Sequence, residues 1–394
     1  MAEPSLGLVM ILKDEAHNLG QSLEPVASLF DEVVVVDTGS CDGTPELCAR
    51  LGARVYDFTW QDHFAAARNY SLEKSRADWV FWLDGDNAIT PEAVGELRRI
   101  IGGLNGPAVL WAQELVVPGG QRLWQKRCFA RRPVVRFAGR VHEQLIHPPH
   151  WSSVRTPVVV RHWGYTEPKE MERKGRYYLK LLERMLEEDP RDFYAHFQAA
   201  RCHLNLRQDE KALAHLDKLT GSPEARRDNP QVWEQGFILQ ARAWQRLGRV
   251  ERARRALETL LAQAPDSALG HYHLGRLAYQ TGDWATAAQH LEQVDPAALA
   301  LPLVETDTDK VLFLADYFRG RALERLGRPQ EAAQALARAA AREPANPAPR
   351  TDLARVLIAL GRPAEARQEL EQVLELRPRD RQARRLLGRL EEAA

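Results

Sequence analysis

The chain has 394 residues, enough for two or more domains, and carries 54 Lys plus Arg against 54 Asp plus Glu. That balance excludes a global field drawing in nucleic acid or an anionic membrane, so any charge-driven partner must be read by a local patch. Four cysteines form no CxxC pair or zinc spacing, and no apolar run approaches the roughly 20 residues of a membrane span.

The start shows no basic region followed by a long apolar stretch, and the expectation is a cytoplasmic protein with idle thiols and no integral membrane segment. From Leu6 to about Tyr165, short β-branched runs alternate with helix-length segments. The runs are Leu8 to Leu12, Val33 to Val36, Arg54 to Tyr56 and Trp79 to Leu83. Continuous apolar strands of this kind predict a mostly parallel sheet covered on both faces, with ligands at the carboxyl ends of the strands. Thr44-Pro45 and Thr90-Pro91 each predict a hydroxyl N-cap followed by proline at the first helical position. After Ala108 the pattern shifts to strands joined by turns such as Pro118-Gly119-Gly120, which predicts antiparallel additions to the sheet.

Asp84-Gly85-Asp86 follows the most aromatic run. Alternate residues of an extended segment point the same way, so both carboxylates could face one hard cation, Mn²⁺ or Mg²⁺, while Gly85 lets the backbone turn. The bland alternative is an Asp-Gly turn. A calcium loop is excluded because Ala88, Ile89 and Gly95 occupy ligand positions. Further on, His142, Glu143 and His147 have HExxxH rather than HExxH spacing, and Pro148-Pro149 opposes a helix, so a zinc protease is excluded.

The second half, from about Arg191, is helical, rich in Ala, Leu, Arg and Glu, and self-similar. Gly248 recurs at Gly282, and Gly327 at Gly361, both at intervals of 34 residues, the period of tetratricopeptide helix pairs with glycine at the turn between the two helices. Ala253, Ala256, Leu257, Ala287, Ala288 and Leu291 occupy helix-packing positions. An insertion is expected around Ala297 to Asp309, an irregular first unit near Phe193 to Leu219, and a charged capping helix from Arg379 to Glu392. The domain reading is 1–166 for the α/β part, 167–190 for a linking helix and 191–394 for the repeats.

Four motifs carry a resemblance: Met10-Ile11-Leu12-Lys13-Asp14-Glu15, Val36-Asp37-Thr38-Gly39-Ser40-Cys41-Asp42-Gly43-Thr44, Trp60-Gln61-Asp62-His63-Phe64-Ala65-Ala66-Ala67-Arg68-Asn69, and Asp84-Gly85-Asp86. Gly139 to Leu145 and Arg161 to Tyr165 match more loosely. Together they resemble the family-two glycosyltransferases of the GT-A fold, in the subgroup with tetratricopeptide repeats that includes the peptide S-glycosyltransferases of glycosylated bacteriocins. The resemblance implies a GT-A-type α/β nucleotide-sugar-binding domain followed by an all-α tetratricopeptide solenoid. It also implies a nucleotide-sugar donor, a UDP-sugar first, and a divalent cation on its diphosphate.

By position, the resemblance puts Glu15 and Asp37 around the donor's base and ribose. Asp37 could instead bond its own loop. Arg68 offers a planar fork for phosphate oxygens or is a solvated helix residue, and Asn69 supports the loop or the ribose. Glu143 is the expected general base with His142 in reserve; its alternative is an ion pair with Arg127, Arg132, Arg136 or Arg140, all close in sequence. His162 is expected as third ligand of the cation or as a diphosphate contact. Cys41 and Asn87 depart from the family's usual residues. The expected acceptor is a protein or peptide held partly by the repeats, with a glycan or lipid-linked acceptor as the rival. Nucleotidyl transfer is disfavoured because Lys13 to Asn18 is acidic and lacks glycine. An inactive transferase serving as a repeat scaffold is the alternative of another class.

Overall fold

The computed structural model describes residues 3–117, 120, 122–163, 168–299 and 307–392. The expected Pro118-Gly119 turn, Gly164-Tyr165, the boundary at 166/167 and most of the expected insertion lie outside them. Two compact units divide at Gln208/Asp209.

The first unit contains β1 (Leu6–Leu12), α1 (Leu19–Ser22), β2 (Glu32–Asp37), α2 (Thr44–Arg50), β3 (Arg54–Asp57), α3 (Phe64–Lys74), β4 (Trp79–Leu83), β5 (Asn87–Ala88) and α4 (Pro91–Gly102). Strands β6 (Ala108–Val116), β7 (Arg122–Ala130), β8 (Arg136–Ala138), β9 (Gln144–Ile146) and β10 (Ser152–His162) follow, then α5 (Pro168–Glu188) and α6 (Phe193–Asn205). Eight strands form one sheet in the order β3-β2-β1-β4-β7-β6-β10-β5, and β8 pairs with β9 separately. The four apolar runs are the parallel strands β3, β2, β1 and β4. They read as continuous hydrophobic segments because both faces are buried: Leu8, Val34, Val80 and Phe81 are fully enclosed. The chain winds outward from β1 to β3 and returns to place β4 on the other side of β1, which opens a crevice at their carboxyl ends. Antiparallel β7 and β6 then extend the sheet.

Thr90 caps α4 as expected, accepting from the Ala93 amide. Thr44 does not cap α2. The N-cap is Gly43, whose φ of +83° suits glycine, and Thr44 is the first helical residue. Its hydroxyl instead donates to Asp42 and accepts from the Glu15 amide at 2.9 Å, tying the loop after β1 to the loop after β2.

The expected boundary at 190/191 falls short of the division between units because α5 and α6 pack as part of the first unit. Leu179, Leu181, Leu182, Ala195 and Ala199 share a core with Val141, and Phe64 packs against it. Tyr177 Oη donates to Asp62 at 2.7 Å and accepts from Trp60 Nε1 at 2.8 Å.

The second unit comprises α7 (Asp209–Thr220), α8 (Pro223–Asp228), α9 (Pro230–Arg246), α10 (Val250–Gln263), α11 (Ala268–Thr281), α12 (Trp284–Glu292), α13 (Thr308–Arg325), α14 (Pro329–Arg342), α15 (Pro347–Ala359), α16 (Pro363–Leu376) and α17 (Arg381–Glu392). Gly248, Gly282, Gly327 and Gly361 each join the two helices of a pair with φ between +68° and +82°, a conformation in which a Cβ is strained. Ala253, Leu257, Ala287, Ala288 and Leu291 are buried between helices, and α17 closes the series against α16.

Candidate active site

Glu15 follows β1, Asp37 ends β2, and Asp84 follows β4, so the crevice collects all three. Gly85 lets Glu15 approach closely: a Cβ there would lie 2.5 Å from Glu15 Cγ and 2.6 Å from Cδ, so the Glu15 side chain would have to shift. Its φ is not positive, so the glycine serves close approach and not an unusual turn. Glu15 accepts from Asn18 Nδ2 at 2.6 Å, and burial raises its pKa above the usual value.

Asp37 is buried and its carboxylate serves its own loop, accepting from the amides of Gly39 and Ser40 at 3.0 Å and from the Ser40 hydroxyl at 2.5 Å. Asp14, with φ of +56°, locks the neighbouring loop by accepting from the Cys41 amide at 2.7 Å. The two loops thus form one bonded rim, and Asp37 shapes that rim.

The centre of the crevice is a charged cluster around Trp82. Arg68, on α3 and only 8 % exposed, donates through Nε to Glu143 and through Nη2 to Asp84 at 2.7 Å. Arg127, on β7 and 1 % exposed, bonds Glu114 and reaches the other oxygen of Asp84 at 3.4 Å. Both guanidiniums stack on the Trp82 ring, at 4.2 Å and 3.8 Å from its centroid. Burial works against the charge of Asp84, but Arg68 and Arg127 outweigh it and hold its carboxyl at about 2. Asp84 and Glu143 likewise hold Arg68 protonated against burial, well above its ordinary pKa.

Asp84 and Asp86, expected to face one cation together, have different partners among the described residues. Asp84 meets the two arginines. Asp86 accepts from Asn87 at 3.0 Å and lies 3.4 Å from His162 Nδ1, which itself contacts Asn87 at 2.7 Å. Burial lowers the His162 pKa, but Asp86, Glu114 and Asp84 raise it further, and the net shift is upward. Among the described residues no group of three His, Cys, Asp or Glu side chains is gathered as a metal site. Asp86 Oδ2 takes no hydrogen bond among the described residues, so the carboxylate keeps an oxygen for a hard cation.

Asn69 clamps β8 by exchanging two hydrogen bonds with the Phe137 backbone, at 2.8 and 2.9 Å. It supports the wall of the crevice. Glu143, just before β9, meets Arg68 from α3; of the four arginines close to it in sequence, none pairs with it among the described residues. His142, with φ of +52°, packs edge-on against Tyr178 at 5.4 Å. Sequence reasoning missed Glu114, the bracing role of Arg127 and the stacking on Trp82. The available signal was a charged residue, Arg127, immediately before the apolar run Cys128-Phe129-Ala130.

Residues 8–139 match the model of glycosyl transferase family 2, and 179–234, 238–299 and 323–390 match tetratricopeptide repeat models. The chain therefore carries a family-two glycosyltransferase domain followed by a helical region of tetratricopeptide repeats. Glu15, Asp37, Arg68, Asn69, Asp84 and Asp86 fall inside the first match; His142, Glu143 and His162 lie beyond it. A TPR repeat-containing protein of Synechococcus elongatus is 32% identical over 205 residues, covering 49% of this chain and 51% of that protein. The SPbeta prophage-derived glycosyltransferase SunS of Bacillus subtilis is 25% identical over 228 residues, 55% of this chain and 53% of SunS. An uncharacterized glycosyltransferase of Rickettsia felis is 28% identical over 96 residues, 24% of this chain and 34% of its own length. The chain thus spans about half the length of the first curated relatives it matches. Among the described residues no helix is long and apolar enough to cross a membrane.

Proposed function

We propose that this chain transfers a sugar, with inversion, from a nucleotide-sugar donor, a UDP-sugar first, to a protein or peptide acceptor that also engages the repeats. The observation that carries this reading is the convergence of Asp84, Arg68, Arg127 and Glu143 at the carboxyl end of β4, the first three of them inside the segment that matches family-two glycosyltransferases. The relative SunS is named a glycosyltransferase, which supports the same reaction class.

Glu15 and the rim built on Asp37 and Asp14 receive the base and ribose. Arg68 has one guanidinium for two carboxylates, and a diphosphate entering beside it becomes a third anion in competition. Moving Arg68 toward the phosphates loosens its hold on Glu143, which then accepts the proton of the attacking acceptor group as the bond to the anomeric carbon forms. The residues fit a divalent cation: Asp86 and Asp84 would supply oxygens, with His162 beside Asp86. Such a cation supplies Lewis-acid stabilisation of the departing diphosphate.

Incubation with a panel of nucleotide sugars and Mn²⁺ tests the proposal by slow release of nucleoside diphosphate. Release that disappears in Asp84→Ala/Asp86→Ala and persists in Glu143→Gln is expected. No release from any donor would overturn it.

A further inference from the structure

The interval between α7 and α9 differs from the other short connections between repeats. Helices α10 and α11, or α14 and α15, are separated by four residues, but between α7 and α9 the chain inserts the short helix α8. Beside α8 lies a cavity of about 880 Å³, lined by the end of α7, by α8, by α9 and by α10. Its floor is one stripe of α9, Trp233, Phe237, Gln240 and Trp244, spaced so that they share a helical face. The first two rings are almost wholly buried, whereas Trp244 is partly exposed.

The charge of the lining is one-sided. Four arginines, Arg226, Arg227, Arg252 and Arg255, face one carboxylate, Asp217, which already accepts from Gln240 at 2.7 Å. Among the described residues, Arg227 alone of the four has a carboxylate partner, Asp228. Arg226 donates to the Gln263 carbonyl and stacks 5.3 Å from Trp233; Arg252 stacks 4.7 Å from Trp244; Arg255 makes no ion pair among the described residues. Some arginines elsewhere in this unit have acidic partners, as Arg350 has Glu369 and Arg355 has Glu324. A chain with no net charge has left a local excess of cations over aromatic rings.

We infer that the cavity between α7, α8 and α10 is a docking site for an acidic polypeptide segment bearing an aromatic or large apolar side chain. The carboxylates meet Arg252, Arg255 and Arg226, which lose no existing ion pair on binding, and the apolar side chain covers Trp244 and the floor of α9. The partly exposed ring of Trp244 offers the surface that a side chain can cover, while the arginines set polarity. The site lies wholly in the repeat unit and stands whether or not the transferase reading holds.

Fluorescence anisotropy on the full chain tests this. The probes are a labelled peptide of alternating Glu and Phe, the same peptide with Phe replaced by Ala, and one with Glu replaced by Gln; free UDP serves as competitor. The Glu/Phe peptide is expected to bind and to change tryptophan emission. Arg252→Glu with Arg255→Glu, both at exposed positions, should weaken it by roughly tenfold or more, and Trp244→Ala by a smaller factor. Losing either Glu or Phe from the probe should weaken binding. Equal binding by the double arginine variant overturns the inference, as does equal binding of the Glu/Phe and Glu/Ala peptides, which would mean charge alone. Displacement by UDP would assign the cavity to nucleotides and also overturn it. Circular dichroism of each variant confirms that the repeats remain folded.

Discussion

The two units of this chain manage charge in opposite ways. In the transferase domain, ionised groups are taken inside and shared: Arg68 serves Glu143 and Asp84, Arg127 serves Asp84 and Glu114, and both press on Trp82. In the repeats, ion pairs lie nearer the surface, as where Arg338 and Arg342 both hold Asp316, at 2.8 and 2.9 Å, or where Arg328 meets Glu331 at 2.6 Å. A buried charge network costs desolvation that only mutual pairing offsets, so no member can leave cheaply; a surface pair contributes little and can be lost. The first arrangement fits a site that must present charge to a ligand, and the second fits a stack stabilised mainly by Ala and Leu packing.

The largest effect expected of this contrast is at Arg127. Arg127→Met leaves Glu114, itself 6 % exposed, without its guanidinium, and should destabilise the first unit by about 3–5 kcal/mol in denaturant unfolding. Adding Glu114→Met removes the stranded charge and should recover most of that loss while donor binding stays impaired, because Asp84 still lacks one of its two braces. A single variant as stable as the parent would mean that the cluster is wet and loosely held, and the contrast between the units would fall.

A pH series sharpens the same point. The Asp84 carboxyl is held at about 2, below the usual carboxylate value, so its pairing contributes stability that is full above about pH 4 and is lost as pH falls toward 2. Asp84→Asn removes that contribution. Its unfolding free energy should therefore fall less steeply than the parent's across this window. Parallel curves for the two proteins would place the acid sensitivity elsewhere.

Both halves of the architecture were legible in the sequence, for physical reasons that also mark where legibility ended. The parallel strands announced themselves because burial on both faces forces continuous β-branched runs, and the repeats because a positive φ between paired helices demands glycine every 34 residues. Thr44 misled because a hydroxyl before proline is an N-cap signal whether or not Asp42 has already claimed it; the loop contact to Glu15 has no local signature. In the site, Asp84 and Arg68 were nameable from motifs, but their meeting was not. Glu143 was expected as the general base, with an ion pair to arginines near in sequence as the alternative; its partner is Arg68 on α3, brought in by packing across 75 residues. The bond between Glu114 and Arg127 depends on the β6–β7 register, which shifts between Leu110 and Trp111 and could not be counted from the pattern.

The smallest effects should come from the repeats, and their order separates packing from charge. At Gly320, an added Cβ would approach Leu336 Cγ to 2.7 Å and the Leu336 backbone nitrogen to 3.2 Å, so the side chain can yield but the helix cannot. Overpacking of about 1–3 kcal/mol is partly offset by the gain of about 1 kcal/mol that alanine brings to a helix interior, leaving Gly320→Ala destabilised by about 1 kcal/mol. Arg338→Ala should cost less than that, within about 0.5 kcal/mol, since Arg342 also holds Asp316, at 2.9 Å, and keeps the carboxylate paired. Thermal unfolding of the two variants decides the point. If Arg338→Ala proved the more damaging, the repeats would depend on charge as the transferase domain does, and the division of labour between the two units would fail where it should be safest.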